Sequence, residues 1–157
     1  MLLKPYEDYS KHVNDLFVIL SKELRSILPD ARIEHIGSSA VPGSISKGDL
    51  DVFVGVDHSH FNQALSLIKS LDFYEKKGTF RSDELCMLVT DKFNYDVAVQ
   101  LVSNGSEFED FLKFRDLLKT NDEFVKEYNE VKLMAQYLDG NEYRQKKSIF
   151  ITKILNS

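Results

Sequence analysis

Apolar residues recur at intervals of three and four through residues 6–28, at Tyr6, Tyr9, Val13, Leu16, Phe17, Leu20, Leu24 and Ile27. That is the spacing of one helix face. Pro5 suits a first turn and Pro29 stops the helix. The period then changes: residues 33–36 read as a short strand ended by Gly37-Ser38, and residues 49–56 as a second one. Between them, residues 39–48 hold Pro42, Gly43, Gly48 and three serines, which predicts a surface loop. A polar junction at 57–60, with Ser59 a plausible N-cap, leads into a second amphipathic helix through Phe61, Ala64, Leu65, Ile68 and Leu71. Residues 72–76, 85–90 and 95–102 read as three further strands, with a turn at 77–79 and a connection at 91–94.

From Glu107 onward the pattern is helical. Phe108, Phe111, Leu112, Arg115 and Leu118 share one face. Asn121 then caps a helix carrying Phe124, Tyr128, Val131, Ala135 and Leu138, and Gly140 is read as its end. A last helix over 143–155 turns Phe150, Ile151, Ile154 and Leu155 inward. The expected fold class is α+β: a mixed β-sheet with flanking helices over about 1–105, and a helical C-terminal part over about 106–157 folded onto it as one domain.

Composition narrows the function classes. The chain has 157 residues, 43% hydrophobic and 29% charged, within the range of soluble globular proteins, and no apolar run approaches a membrane span. The start lacks an apolar secretory segment, and the lone Cys86 offers no internal disulfide, so the expected location is the cytoplasm. A net charge of −5 argues against general nucleic-acid binding but leaves room for a nucleotide held by a few local cations. His58 and His60 lack a Cys or carboxylate partner nearby, which disfavours zinc; His35 is at most a support for neighbouring groups.

The candidate chemistry sits at the start of the second strand. Asp49 and Asp51 alternate with Leu50 and Val52, so both carboxylates project from one face of the strand. Two adjacent acids repel each other, and a bound cation is the simplest reason to keep them. Hard Mg²⁺ suits an all-oxygen set. Asp96 interrupts another strand-like run, where a buried carboxylate requires a partner. Gly37 and Ser38 offer backbone N–H groups and a hydroxyl to phosphate oxygens, with Lys47 nearby.

Gly37-Ser38, a spacer of about ten residues, and then acid-apolar-acid-apolar resembles the signature of the nucleotidyltransferase superfamily, with its polymerase-β-like core. Residues 34–43 followed by Lys47, together with Phe114-Arg115-Asp116, Glu127-Tyr128, Lys132, Tyr143, Lys147-Ser148 and Phe150-Ile151, look like the GrpB family over most of the chain. There is one departure. Many GrpB-like sequences carry Lys-Pro and two apolar residues before a single Asp, where this chain keeps the full pair.

The resemblance implies a Mg²⁺-dependent transfer of a nucleoside monophosphate from a nucleoside triphosphate, with ATP first choice, to a small-molecule or macromolecular acceptor. It implies Asp49, Asp51 and Asp96 as metal-binding and catalytic acids. It also implies Gly37, Ser38, Lys47, Arg115, Lys132, Tyr143 and Lys147 around the nucleotide. A nucleotide-binding or protein-interaction domain of the same fold without turnover is the alternative.

Overall fold

The computed structural model describes residues 2–157. The opening helix, α1, covers Tyr6–Ile27, and its predicted stripe faces inward: Tyr9, Val13, Leu16, Leu20 and Leu24 are all buried. The strands are β1 (Arg32–Ile36), β2 (Leu50–Val56), β3 (Tyr74–Glu75), β4 (Leu85–Thr90) and β5 (Val97–Ser103), with α2 at Phe61–Lys69. They form one sheet in the order β1-β2-β5-β4-β3. Only the β2–β5 pair is parallel; the other three ladders are antiparallel.

Central position explains the composition of β2 and β5. Both are buried on both faces and read as near-continuous apolar runs, and Asp51 is the one residue of β2 that keeps partial exposure. On one face of the sheet, Val52, Val54, Val99, Leu101 and Leu88 pack against α1 and α2 in the main core. The opposite face is shared. Phe53, Val102 and Leu85 lie with Ile36 under Leu112 of α3 (Asp110–Lys119). A third cluster joins α3 to α4 (Asp122–Ala135) and α5 (Gly140–Leu155) through Leu118, Val125, Tyr128, Phe150 and Ile154. Tyr128 and Phe150 stack with centroids 5.0 Å apart, and the ring of Phe114 meets Tyr128 edge-on at 5.4 Å.

Several local expectations change. The segment before α2 is a 3₁₀ turn at His58–His60, and Ser59 lies inside it instead of capping the helix. Gly140 opens α5 instead of closing α4: the Asp139 side chain caps it by accepting from the Glu142 N–H at 2.9 Å. The Asn121 cap forms as expected, accepting from the Glu123 and Phe124 N–H groups. Leu138, assigned to the core by spacing, lies beyond the end of α4 and is exposed.

The predicted surface loop is in fact half interior: Ser39, Val41, Ser44 and Ser46 are buried, and Val41 belongs to the helical core. Loop backbone taken out of water must be satisfied from elsewhere, and two helices do it. From α1, the Tyr9 hydroxyl donates to the Ser44 carbonyl at 2.7 Å. From α4, Asn129 donates to the Gly43 carbonyl at 2.9 Å and accepts from the Ile45 N–H at 3.0 Å, while the Lys132 ammonium donates to the Ile45 carbonyl.

Candidate active site

The loop so fixed delivers its two ends to one place. At the near end, Gly37 leaves β1 with φ 78° and ψ −179°, a conformation in which a side chain is strained, and opens a 3₁₀ turn at Ser38–Ala40. A Cβ at this position would lie 2.8 Å from Asp51 Oδ2. The missing side chain is what lets the Asp51 carboxylate lie against the turn. At the far end, Asp49 precedes β2, and Asp51 is its second residue, in register with Ile36 of β1 and Ala98 of β5.

The electrostatics of this corner are asymmetric. Burial raises the Asp51 carboxyl well above the usual carboxylate range, and the neighbouring Asp49 charge adds to the rise; Lys147 and Lys47 oppose it. Burial pulls Lys47 down, yet Asp49 and the hydrogen-bonded Asp96 more than compensate, so its ammonium is held above the ordinary lysine value. Lys132, only 2% exposed, is pushed down to about 7 by burial and then by Lys147. Its ammonium donates to Ser38 Oγ at 3.0 Å and sits 4.4 Å over the Tyr128 ring. Lys147 is also depressed by burial, against the pull of Asp49 and Asp51, and lies 5.2 Å over the Tyr143 ring.

A cavity of about 860 Å³ opens between this corner and the C-terminal helices, within the range of small-molecule sites. Eight of the ten expected site residues line it: Gly37, Ser38, Lys47, Asp49, Asp51, Lys132, Tyr143 and Lys147. The other two do not. Arg115 turns the other way: its guanidinium binds Glu34 at 2.7 Å and Asp116 at 2.8 Å and donates to the His35 carbonyl at 3.1 Å, tying α3 to β1. The expectation that it reaches across the cleft is corrected on that geometry. His35 is part of the same framework. Its ring stacks on Phe17, lies 3.0 Å from Ser39 Oγ and, desolvated, is held down at about 4.

Asp96 is the second exception. It falls one residue before β5, where its carbonyl accepts from the Leu50 N–H at 2.9 Å, and its side chain is 61% exposed and paired with Lys47 at 3.1 Å. The expected buried strand carboxylate is therefore a solvent-facing one. Among the described residues, no three His, Cys, Asp or Glu side chains gather as a metal-holding group. The pair that does converge, Asp49 and Asp51, still fits a hard divalent cation: its donors are all oxygen, and such a cation would offset both the burial that chiefly raises Asp51 and the Asp49 charge that adds to it.

The apolar part of the cavity was not foreseen as a site. Met87, Phe108, Phe111, Phe114, Ile151 and Leu155 line it together with Gln100. The aromatic residues of 108–114 carried a signal, a repeat of three, but that repeat is indistinguishable from a core face until the sheet beneath is known to be left partly uncovered.

A family model described as GrpB protein matches residues 6–157. A UPF0157 protein of Vibrio cholerae is 46% identical over 149 residues, which span 95% of this chain and 79% of that one. A UPF0157 protein of Deinococcus radiodurans is 33% identical, over 84% of this chain and 70% of its own. The crystal structure of conserved protein GrpB from Enterococcus faecalis superposes with a TM-score of 0.70 at 20% identity, covering 98% of this chain and 99% of that one. The Cid1 poly(U) polymerase with MgGTP bound superposes with a TM-score of 0.58 at 17% identity, covering 85% of this chain and 44% of Cid1. What the two solved structures share with this chain is the nucleotidyltransferase-like fold.

Proposed function

The chain belongs to the GrpB family, and from that membership and the site geometry we propose that it is a Mg²⁺-dependent nucleotidyltransferase. It moves a nucleoside monophosphate from a nucleoside triphosphate, ATP first, to an acceptor hydroxyl or phosphate. The observation that carries this reading is the convergence of Asp49 and Asp51 with the Gly37-Ser38 turn and three lysines on one cavity.

Asp49 and Asp51 would hold Mg²⁺, which when bound supplies charge neutralisation at the transferring phosphate. The Gly37-Ser38 turn and the ammonium groups of Lys47, Lys132 and Lys147 orient the triphosphate and balance its outer charge, with the Tyr143 hydroxyl beside them. In the transfer, the acceptor atom bonds to the α-phosphorus. The bond from that phosphorus to the bridging oxygen breaks, and the electron pair leaves with pyrophosphate. The acceptor's proton is released to solvent, and Asp96, outside the cavity lining, acts through its ion pair with Lys47, which it holds beside the acids. The lone buried Cys86 supports a reducing, cytoplasmic setting, and no helix among the described residues is long and apolar enough to cross a membrane.

One observation favours a second reading, a nucleotide-binding domain without turnover: Asp96 is engaged by Lys47, and Ser38 by Lys132. Two measurements separate the readings. Mg²⁺ with ATP should raise the melting temperature of the wild type, and Asp51→Ala should abolish the gain. Pyrophosphate release in the presence of a metabolite extract should then be lost in Asp49→Ala and Asp51→Ala. Stabilisation without release across acceptor pools selects the silent domain, and no Asp51-dependent stabilisation removes both readings.

A further inference from the structure

The cavity is not chemically uniform, and its two ends are defined by one helix. Along the α5 face that lines it, Arg144, Lys147 and Ser148 give way to Ile151 and Leu155 two turns later. The cationic end meets Asp49 and Asp51. The other end is where α5 finishes beside α3, with the Lys113 ammonium donating to the Leu155 carbonyl at 3.2 Å. Its walls are Phe108, Phe111 and Phe114, and its floor is the strip of sheet that α3 leaves uncovered, Gln100 of β5 with Met87 of β4 in register beside it.

None of these wall and floor side chains is fully buried. They form apolar surface held open to the cavity, extended at the rim by Phe80, which is 65% exposed and lies 5.7 Å from the Phe108 ring. The Gln100 amide makes no side-chain hydrogen bond within the protein among the described residues, so it offers an NH2 donor group and a carbonyl acceptor on an otherwise apolar floor. The charged side chains that line this end are acids, Glu107 and Asp110, while the Lys113 ammonium beside it is taken up by the Leu155 carbonyl.

We propose, resting on the transferase reading, that this end is the acceptor site and that the acceptor is a small molecule with a flat apolar body and an ammonium head. The body lies on Met87 between Phe111 and Ile151, Gln100 fixes its orientation, and the ammonium faces Glu107 and Asp110. A hydroxyl on the body then points along the floor toward Asp51, where its oxygen bonds to the α-phosphorus as pyrophosphate leaves and its proton is released to solvent. A polyanionic strand is a poor fit, because it would lay phosphates against acids and apolar rings.

Three naphthalene probes test the chemistry: 1-naphthylmethylamine, 1-naphthylmethanol and 1-naphthoate, titrated against the full chain at low ionic strength. The chain has no tryptophan, so naphthalene emission can be followed directly. The expected affinity order is ammonium, alcohol, carboxylate, with about tenfold between the first and last, a step of about 1.4 kcal/mol. Glu107→Gln with Asp110→Asn should collapse that span. Ile151→Gln should weaken all three probes, with circular dichroism and the melting curve reporting that the variant is folded. The exposed acid pair gives the second arm should Ile151→Gln not fold.

A different order, no saturable binding, or a span untouched by the acid substitutions overturns the proposal. Its failure is distinct from that of the transferase reading, because the latter is read by Asp51-dependent stabilisation with Mg²⁺ and ATP. Probe binding without that stabilisation leaves an apolar cation site on a protein that is not a transferase, which also overturns the assignment as acceptor site.

Discussion

Replacing Gly37 with alanine isolates the local geometry on which the carboxylate corner depends. At φ 78° and ψ −179° the backbone occupies a region essentially reserved for glycine, and an L-residue there costs about 1–3 kcal/mol. The new Cβ would also meet Asp51 Oδ2 at 2.8 Å. That oxygen is the end of a side chain, so the carboxylate moves instead of the strand, at an off-rotamer cost of about 0.5–1.5 kcal/mol. The sum, about 1.5–4.5 kcal/mol, corresponds to a melting-temperature drop of roughly 3–18 °C for a chain of this size.

Gly78 supplies the control: its φ is 79° and nothing lies within 4 Å of an added Cβ, so Gly78→Ala reports backbone strain without a clash. Urea unfolding of wild type, Gly37→Ala, Asp51→Ala and the double variant then closes a cycle. The carboxylate share should disappear in the Asp51→Ala background, giving a coupling of about 0.5–1.5 kcal/mol. A Gly37→Ala cost no greater than that of Gly78→Ala, or one identical with and without the Asp51 carboxylate, would refute the argument.

Two further outcomes follow from the cations. Lys132 is held down at about 7, so the folded state prefers it neutral; stability is greatest above the ordinary lysine value and is lost as pH falls from about 10 toward 7. Lys132→Met should flatten the slope of unfolding free energy across that window, and parallel slopes in the two proteins would show that the lysine is charged without penalty. Arg115→Met should destabilise by about 2 kcal/mol, because it leaves the His35 carbonyl without its charged donor and Glu34 with Arg32 alone, at a position only 10% exposed. The stabilisation by Mg²⁺ and ATP should survive, since Arg115 does not line the cavity; its loss in a folded Arg115→Met protein would return the arginine to the nucleotide.

What the chain discloses before folding is what local forces decide. The α1 stripe, the span of β4 and the Asn121 cap each depend on residues within one or two turns of each other, and each appears as read; of the acid pair only Asp51 lies in β2, Asp49 preceding it, and both line the cavity. Gly140 was misread because a glycine after a periodic segment signals a helix end just as it tolerates a helix start. The Asp139 cap, one residue earlier, decided between them. Asp96 was misread because an extended apolar pattern does not say where the ladder begins, and one residue of boundary is the difference between a buried carboxylate and a solvated one. The pairs Lys132 with Ser38 and Arg115 with Glu34 join residues 94 and 81 positions apart, numbers that only the sheet and helix packing bring together. Four basic residues with the same sequence credentials thus divided into three cavity cations, with Lys47, and one framework arginine.

The costs of the fold are not evenly spread, and their distribution bears on function. A strained glycine, two half-buried carboxylates in mutual repulsion, and two lysines, Lys132 buried and Lys147 half-buried, whose charged forms are penalised all fall within one corner of a single cavity. Elsewhere the buried side chains are apolar apart from a few small hydroxyls such as Thr90 and Ser103, and loop carbonyls are satisfied by Tyr9 and Asn129. Opposed charges held close without forming a direct carboxylate–ammonium pair between Asp51 and Lys147 leave both unsatisfied by the protein alone. A ligand that brings a divalent cation to the acids and phosphate oxygens to the ammonium groups relieves both sides at once, which no apolar or singly charged ligand can do. That complementarity, more than the presence of any one residue, is the physical ground for placing a metal-bound triphosphate at this end of the cavity and reserving the apolar end for its acceptor.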